Sequence, residues 1–592
     1  MHQAMRQWNL ELAPDICCLL DETQAPDPEV CAQDLIDFSP VYRCLHIHTV
    51  LGKREQFIDS YRSGRRSQVR LAIKPRSIWK GEINDFKCYF YGIMGFFVVE
   101  DTILHTTQEL RPHKGEGEGL VTLHIVHEFW QMALSEVLAV LRNNCNSCRD
   151  YHLLLKVKQL VVWLCHALRG YGFPVDKLYE VLLEIREQYD EMLMKAWGDS
   201  FTQIFASDNY TPMVAETEEQ YRGVLELFPY HNVQIDSAPY PRLFPFSGVV
   251  GQVYCQLQAF IRNCSDYADG LNLSQMEVCD IVSKSVNLLL SRTVTGCLSR
   301  LVHDEGLTIP QLGQIWVNIS HLADSVPHLE DFIRHVTKTG SEGAASVRLY
   351  GGSTFKDGKV TAEQQIIVRL TAKCAEVVEG ASYDWTSKDA QDKPSDYIND
   401  CLHFLETTFH ALHILPEEVV SNLVQQALKN LALQLERVLL CDTNPRISME
   451  AIRNFNVDLM HCQRFVMSTV SSYNCLRGSD ASLAFEPLKQ LVDLFVNENW
   501  SEFISEYPSL SDKYKHVAPY MVHGLLTRLR KADKKKKKLP IHVKNPAKKK
   551  DPKKLMLKAL EEKVAQEGAC LAPPVMMHTT PSPPPSFGAS RY

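Results

Sequence analysis

Cys145-x-x-Cys148 has the spacing of half a structural zinc site, but four ligands are needed and no second Cys-x-x-Cys or His pair stands at a suitable distance. The two cysteines read as small residues at a helix end. His46-x-His48 cannot put both rings on one face of a helix; His410-x-x-His413 can, yet on an amphipathic helix such a pair reads as ordinary core or surface histidine. Gly115-Glu-Gly-Glu-Gly119 has the glycines of a phosphate loop without its Gly-Lys-Ser/Thr ending, and its glutamates repel phosphate. His124 and Glu128 stand in the wrong order for a metalloprotease helix, no Gly-x-Ser-x-Gly elbow occurs, and no carboxylate pair stands out from a solvated acidic face. The expectation is a chain with no catalytic residues, no metal, no cofactor and no small-molecule substrate. An enzyme whose site is assembled from distant residues is the weaker reading.

The strongest charge pattern is basic. Lys534, Lys535, Lys536, Lys537 and Lys538 form one cluster, and Lys548, Lys549 and Lys550 begin a second that runs on through Lys553 and Lys554. Between residues 531 and 558 there are 13 Lys against 2 Asp, a local charge of +11; the whole chain carries −8, so the remainder carries −19. An acidic body with a basic tail argues against a body that grips nucleic acid or lipid along its whole length. A disordered segment of this charge is drawn to the anionic lipids of a membrane's cytoplasmic face, at about 1 kcal/mol per lysine near the surface before screening. Nuclear import or nucleic-acid contact through the same lysines is the alternative, and a tail that merely keeps the chain soluble is the plainest reading.

Positioning any of these residues falls to helices. From residue 34 onward apolar residues keep the period of one buried helical face, as in Leu35, Phe38, Val41, Tyr42 and Leu45, and again over 130–141, 154–168, 178–197, 276–290, 397–412, 419–440 and 483–495. Ser39-Pro40 puts proline in a first helical turn, where its missing N–H costs little. Gly170-Tyr-Gly172 before Pro174 ends one helix and starts another. Residues 93–99 could be a strand, though a buried helix is as good a reading. Breaks at 109–119, 228–245 and 340–352 suggest a divergent segment over 1–33, helical bundles over 34–240, 241–345 and 346–530, and a Lys-rich, Pro-rich tail over 531–592 that cannot bury a core. The fold class expected is all-α, an elongated rod of stacked antiparallel helical bundles with a disordered basic tail. The 18 cysteines lack regular spacing, no signal peptide is visible after Met1, and the most apolar runs, 93–99 and 153–168, are too short or too charged to span a bilayer. A cytoplasmic chain is expected.

Within the helical body, Asp34-Leu-Ile-Asp-Phe-Ser-Pro-Val-Tyr-Arg-Cys-Leu-His46, Gly95-Phe-Phe-Val-Val-Glu-Asp101 and Gly170-Tyr-Gly-Phe-Pro-Val175 are followed by Asn209-Tyr-Thr-Pro212, Asn287-Leu-Leu-Leu-Ser-Arg-Thr293 and Arg348-Leu-Tyr-Gly351. Ser353-Thr-Phe-Lys-Asp357, Tyr383-Asp-Trp-Thr386, Ile447-Ser-Met449 and Phe455-Asn456 complete the series. In order and spacing across roughly 34–515 these strings resemble the Sec-fifteen family of exocyst subunits. The family carries a long N-terminal coiled-coil region that residues 1–33 do not resemble; residues 109–118 look like an insertion, and the stretch after about 530 departs from the family pattern.

The resemblance implies a rod of the tethering-complex type and a non-catalytic subunit that tethers post-Golgi or recycling vesicles to the plasma membrane. Its implied partners are other exocyst subunits and a GTP-bound Rab of the recycling or secretory pathway, and its place is peripheral, at vesicles and the plasma membrane. The segment after Ser448 is where the family resemblance places Rab recognition. There Ile452, Phe455, Leu459 and Cys462 lie at helical spacing and face the core. Asn456 and Asp458 then point elsewhere and are the candidate Rab-binding residues, Asn456 sharing a face with Met460 and Gln463.

Overall fold

The computed structural model describes residues 37–75, 79–109, 119–338, 347–350, 352–441, 445–472, 483–506, 512–536 and 552–566. The first group of helices is α1 (Ser39–Val50), α2 (Arg54–Ala72), α3 (Ile83–Glu109), α4 (Leu123–Ser147), α5 (Tyr151–Gly170) and α6 (Asp176–Ala206). Pro40 sits in the first turn of α1 as its sequence suggests. Residues 93–99 lie inside α3, where Ile93 and Phe97 are buried, so the ambiguous run is a buried helix. Thr122 caps α4 by accepting from the Ile125 amide, and Asp150 caps α5 by accepting from His152 at 2.9 Å. Gly172 takes a left-handed φ of +82° and lets the Phe173 amide return to the Leu168 carbonyl at 3.1 Å, closing α5. Phe173 then packs against Phe97 and Trp130 at centroid distances of 5.0 and 5.4 Å, and the Trp130 indole donates to the Pro174 carbonyl at 2.9 Å.

The chain continues through β1 (Val214–Ala215), α7 (Glu218–Leu227), α8 (Val233–Asp236) and β2 (Arg242–Leu243). β1 and β2 pair antiparallel, Val214 opposite Leu243, and form the one sheet among the described residues. Then come α9 (Val249–Ala268), α10 (Gln275–Leu288), a π-helical turn (Leu289–Val294), α11 (Thr295–Val302), α12 (Ile309–Asp324) and α13 (Val326–Val336). Reciprocal capping boxes, Ser274 with Glu277 and Thr308 with Gln311, start α10 and α12.

The last group is α14 (Gly352–Gly380), α15 (Asp396–Ala411), α16 (Glu417–Leu440), α17 (Met449–Ser472), α18 (Glu486–Val496), α19 (Trp500–Glu506), α20 (Pro519–Lys536) and α21 (Pro552–Gln566). Helices pack chiefly on others one to three elements away in sequence, α14 on α12 and on α16 most extensively, around one continuous core. The all-helical expectation for 34–530 holds among the described residues, the short strand pair apart. Packing crosses both expected internal divisions. The β1–β2 pair and the α6–α9 contact bridge 240/241, and α12 lies along α14 across 345/346.

The tail differs from expectation where it is described. α20 continues through residue 536, and residues 552–566 form α21, which packs on α19 and α20. Leu557 and Leu560, one helical turn apart, are buried there, and Lys553 pairs with Asp533 at 2.6 Å. Leu557 and Leu560 give α21 one buried face, while Lys554 and Lys558 stay exposed.

Candidate partner-binding surface

Ser448 starts α17 with three hydrogen bonds. Its hydroxyl accepts from the Ala451 amide at 3.0 Å and donates to the Ser387 carbonyl at 2.6 Å, while its own amide donates to the Trp385 carbonyl at 2.8 Å. The inward stripe is as read from the sequence: Ile452, Phe455, Leu459 and Cys462 are all buried. Phe455 meets Trp385 and Tyr383 at centroid distances of 6.0 and 6.3 Å, and those two rings lie 4.4 Å apart. The strings Tyr383-Asp-Trp-Thr386, Ile447-Ser-Met449 and Phe455-Asn456, dispersed in sequence, thus form one knot.

Two further α17 side chains fasten the loop that leads from the knot to α15. Asn454 accepts from the Gln391 amide at 2.9 Å and donates to the Asp389 carbonyl at 3.0 Å. Asp458 is 1% exposed and accepts from the Ser395 amide at 2.7 Å, the Ser395 hydroxyl at 2.9 Å and the Tyr397 hydroxyl at 3.3 Å. Burial pushes its carboxyl above the usual range, partly offset by those donors and by the nearby His461. Burial, and after it the Asp458 charge, likewise raises the hydroxyls of Tyr383 and Tyr397. Asp458 is therefore not on a partner-facing surface as its spacing suggests. The helical period places it beside the apolar stripe, and the start of α15 covers that flank. It holds a carboxylate at the N-terminus of α15, where the helix dipole favours negative charge.

Asn456 is on the other side. It is half-buried, accepts from the Lys489 ammonium of α18 at 3.1 Å and approaches the Met460 sulfur at 3.9 Å. Met460 and Met467 are 42% and 62% exposed, Arg453 pairs with Glu450 at 2.8 Å, Arg464 is exposed and Gln463 half-buried. This outward strip mixes adaptable thioethers with amide and guanidinium groups, a composition that fits a protein partner better than a small molecule.

The other residues singled out from sequence take structural places. Cys145 is buried in α4, its thiol pushed up to about 12 by burial, and Cys148 points its sulfur at the Asp150 carbonyl. The His410 and His413 rings meet edge to face at 5.6 Å, and His48 stacks on Phe57 at 4.9 Å. Among the described residues no three His, Cys, Asp or Glu side chains are grouped to hold a metal, and no helix is long and apolar enough to cross a membrane. His124, His127 and Glu128 line an open concavity of about 540 Å³ whose walls come from α4 alone, with Glu128 held by Arg66 at 3.0 Å. Lys534, Lys535 and Lys536 end α20; Lys537, Lys538, Lys548, Lys549 and Lys550 lie outside the described residues, as do residues 110–118 of the glycine-rich insertion.

Sequence reasoning missed a buried polar network joining the Asn209-Tyr-Thr-Pro212 region to α12. Ser247 donates from its amide to Asn318 at 2.9 Å and from its hydroxyl to Asp208 at 3.0 Å, and Asn318 donates back to Ser247 at 2.8 Å. Its sequence signal is Asn318 set within the apolar run 315–319 of α12.

The family described as Exocyst complex subunit Sec15 C-terminal matches residues 177–528, from the start of α6 to the middle of α20. The mouse protein Exocyst complex component 6B is 39% identical over 515 residues, 87% of this chain and 62% of that protein. Exocyst complex component 6 of Drosophila melanogaster is 33% identical over 506 residues, 86% of this chain and 64% of that protein. A crystal structure of the Sec15 C-terminal domain covers 54% of this chain and 99% of its own, at 29% identity and a TM-score of 0.43. The chain thus spans less than two thirds of the length of these curated relatives. With the match running through most of the helical body, the chain belongs to the Sec15 C-terminal family of exocyst complex subunits.

Proposed function

We propose that this chain acts as a non-catalytic exocyst subunit, helping to tether post-Golgi or recycling vesicles to the plasma membrane, and that the outer face of α17 receives a GTP-bound Rab. The observation that carries the reading is the division of α17 into two faces within a family match that spans it. The inner face is consumed by the Trp385 knot and the Asp458 fastening, whereas Asn456, Met460, Arg464 and Met467 face outward on a rigid helix. Rab switch surfaces present exposed apolar residues beside backbone polar groups, which such a mixed strip can match. The basic stretch 531–558, of charge +11, supplies a second, purely electrostatic attraction to anionic lipid that orients the tether at the membrane.

Affinity capture with the full chain from cell extract, loaded with GTP analogue or with GDP, tests the proposal. Recovery of exocyst subunits, together with a Rab retained only in the GTP state, is expected. Recovery of RNA and nuclear import factors in their place would overturn it in favour of a nucleic-acid role for the lysines.

A further inference from the structure

The turn joining α1 to α2 leaves three large apolar side chains in water. Ile47, Val50 and Leu51 are 54%, 73% and 64% exposed, and their spacing puts them on one face at the apex of the hairpin. The rest of the hairpin is anchored: Leu45 and Ile58 are buried, His48 stacks on Phe57, and the Tyr42 hydroxyl meets Thr106 of α3 at 2.7 Å. The apex is therefore a fixed protrusion.

The turn satisfies three of its own amides. The Leu51 amide donates to Ile47, the Gly52 amide to Thr49 and the Lys53 amide to His48, at 3.0, 3.1 and 2.9 Å, and Gly52 takes the left-handed φ of +65° that this closure needs. The Thr49 hydroxyl is satisfied as well, on the Leu45 carbonyl at 2.7 Å. These three amides are thus satisfied without water, which lowers the cost of bringing the turn against lipid.

Charge points the same way. Arg43, Lys53 and Arg54 flank the apex, with Glu55 and Asp59 on the following helix. Over Ser39–Ala72 there are seven Arg and Lys against two acids; with Arg65 and Arg66 taken by Glu100 and Glu128, five remain and the hairpin keeps a net +3, in a chain that carries −19 outside 531–558. An apolar tip flanked by Arg43, Lys53 and Arg54 fits an anionic bilayer surface. Three side chains at an apex fall far short of the roughly 800 Å² per partner of a standard protein interface.

We infer that the α1–α2 turn is a membrane-contacting tip, Ile47, Val50 and Leu51 entering the headgroup–acyl boundary of a bilayer rich in anionic lipid while Arg43, Lys53 and Arg54 meet the phosphates. The contact differs from the basic segment in kind, being apolar insertion, and it does not rest on the Rab assignment.

The test uses the full chain with phosphatidylcholine vesicles, with and without phosphatidylserine, at low and high salt. The double substitution V50D/L51D, at positions exposed enough to leave the fold intact, is expected to weaken binding to anionic vesicles about tenfold or more. A residual binding that salt abolishes then belongs to the lysines. Separately, Leu51→Trp is expected to add blue-shifted emission, quenched by brominated lipid, when anionic vesicles are added. Equal binding of V50D/L51D and the parent chain, or an emission difference for Leu51→Trp that is unchanged on vesicle binding, would overturn the inference and leave only electrostatic attachment. So would the absence of vesicle binding accompanied by tip-dependent capture of an acidic helical protein.

Discussion

Glu100 on α3 and Asp458 on α17 are the two carboxylates buried among the described residues, and their surroundings differ in kind. Glu100 is 0% exposed; one oxygen is taken by the Arg65 guanidinium, which also lies over the Phe96 ring at 4.5 Å, and the other has no hydrogen-bond partner. Asp458 uses both oxygens on neutral donors, the Ser395 amide and hydroxyl and the Tyr397 hydroxyl. The first contact joins α2 to α3 through opposite charges, so each charge depends on the other's presence. The second joins α15 to α17 through hydrogen bonds that need only an acceptor. The difference teaches where a buried acid is replaceable: an acceptor can be imitated, whereas half of an ion pair cannot.

The largest expected effect follows from breaking the pair. Arg65→Leu should destabilise the chain by about 3–5 kcal/mol, because Glu100 is left charged and alone, whereas R65L/E100L should recover most of that loss. Denaturant unfolding of the single and double variants reads this directly; equal losses in both would erase the distinction drawn here. Next in size, Asp458→Ala should cost about 2–3 kcal/mol by stranding the Ser395 and Tyr397 donors. Asp458→Asn, which keeps an acceptor oxygen, should cost about 1 kcal/mol. An Asn variant as damaging as the Ala variant would mean that the negative charge at the start of α15 matters more than the hydrogen bonds.

Acidity sharpens the comparison further. Burial raises both carboxyls above their ordinary values, 4.5 for Glu100 and 3.8 for Asp458, with Arg65 and with Ser395 and Tyr397 pulling the other way. A raised carboxyl in the folded chain holds its proton where the unfolded chain has released it. These two groups therefore make stability fall as pH rises above those ordinary values, and the fall ends once the folded carboxyls ionise. Asp458→Asn should flatten that slope by its own share, and Arg65→Leu should enlarge the share of Glu100. Unfolding midpoints measured from pH 4 to pH 7, about the span over which such groups titrate, would show it. A parent-chain stability that instead climbs through this range because of either group contradicts the burial argument.

Much of this was legible beforehand because the helical period is a local property. The stripe Ile452, Phe455, Leu459 and Cys462 is written in α17 itself, and all four side chains are inside. Asp458 was not legible: its partners, Ser395 and Tyr397, lie some sixty positions away, and nothing near 458 says that α15 begins against it. Glu100 was hidden the same way, since Arg65 belongs to another helix. In the tail, lysine-dominated composition outweighed the spacing of Leu557 and Leu560, although that pair is buried in α21, which packs on α19 and α20. The Val214–Leu243 ladder is two residues per strand, below the length at which alternation can be read.

Asn456 lies at the small end of the stability scale. It is half-buried and bonded to a lysine, so Asn456→Ala should shift stability by less than about 0.5 kcal/mol. That makes α17 the place where fold and function separate, and one titration decides whether they do. The full chain, its Asn456→Ala variant and its Asp458→Asn variant are each titrated with the Rab recovered by affinity capture, loaded with a GTP analogue, well below their melting temperatures. Asn456→Ala should lose about tenfold or more in affinity with an unchanged melting curve, whereas Asp458→Asn should melt earlier yet bind as the parent chain does. Wild-type affinity in Asn456→Ala, or lost affinity in a folded Asp458→Asn chain, would contradict the division of α17 into an inner fastening and an outer partner face.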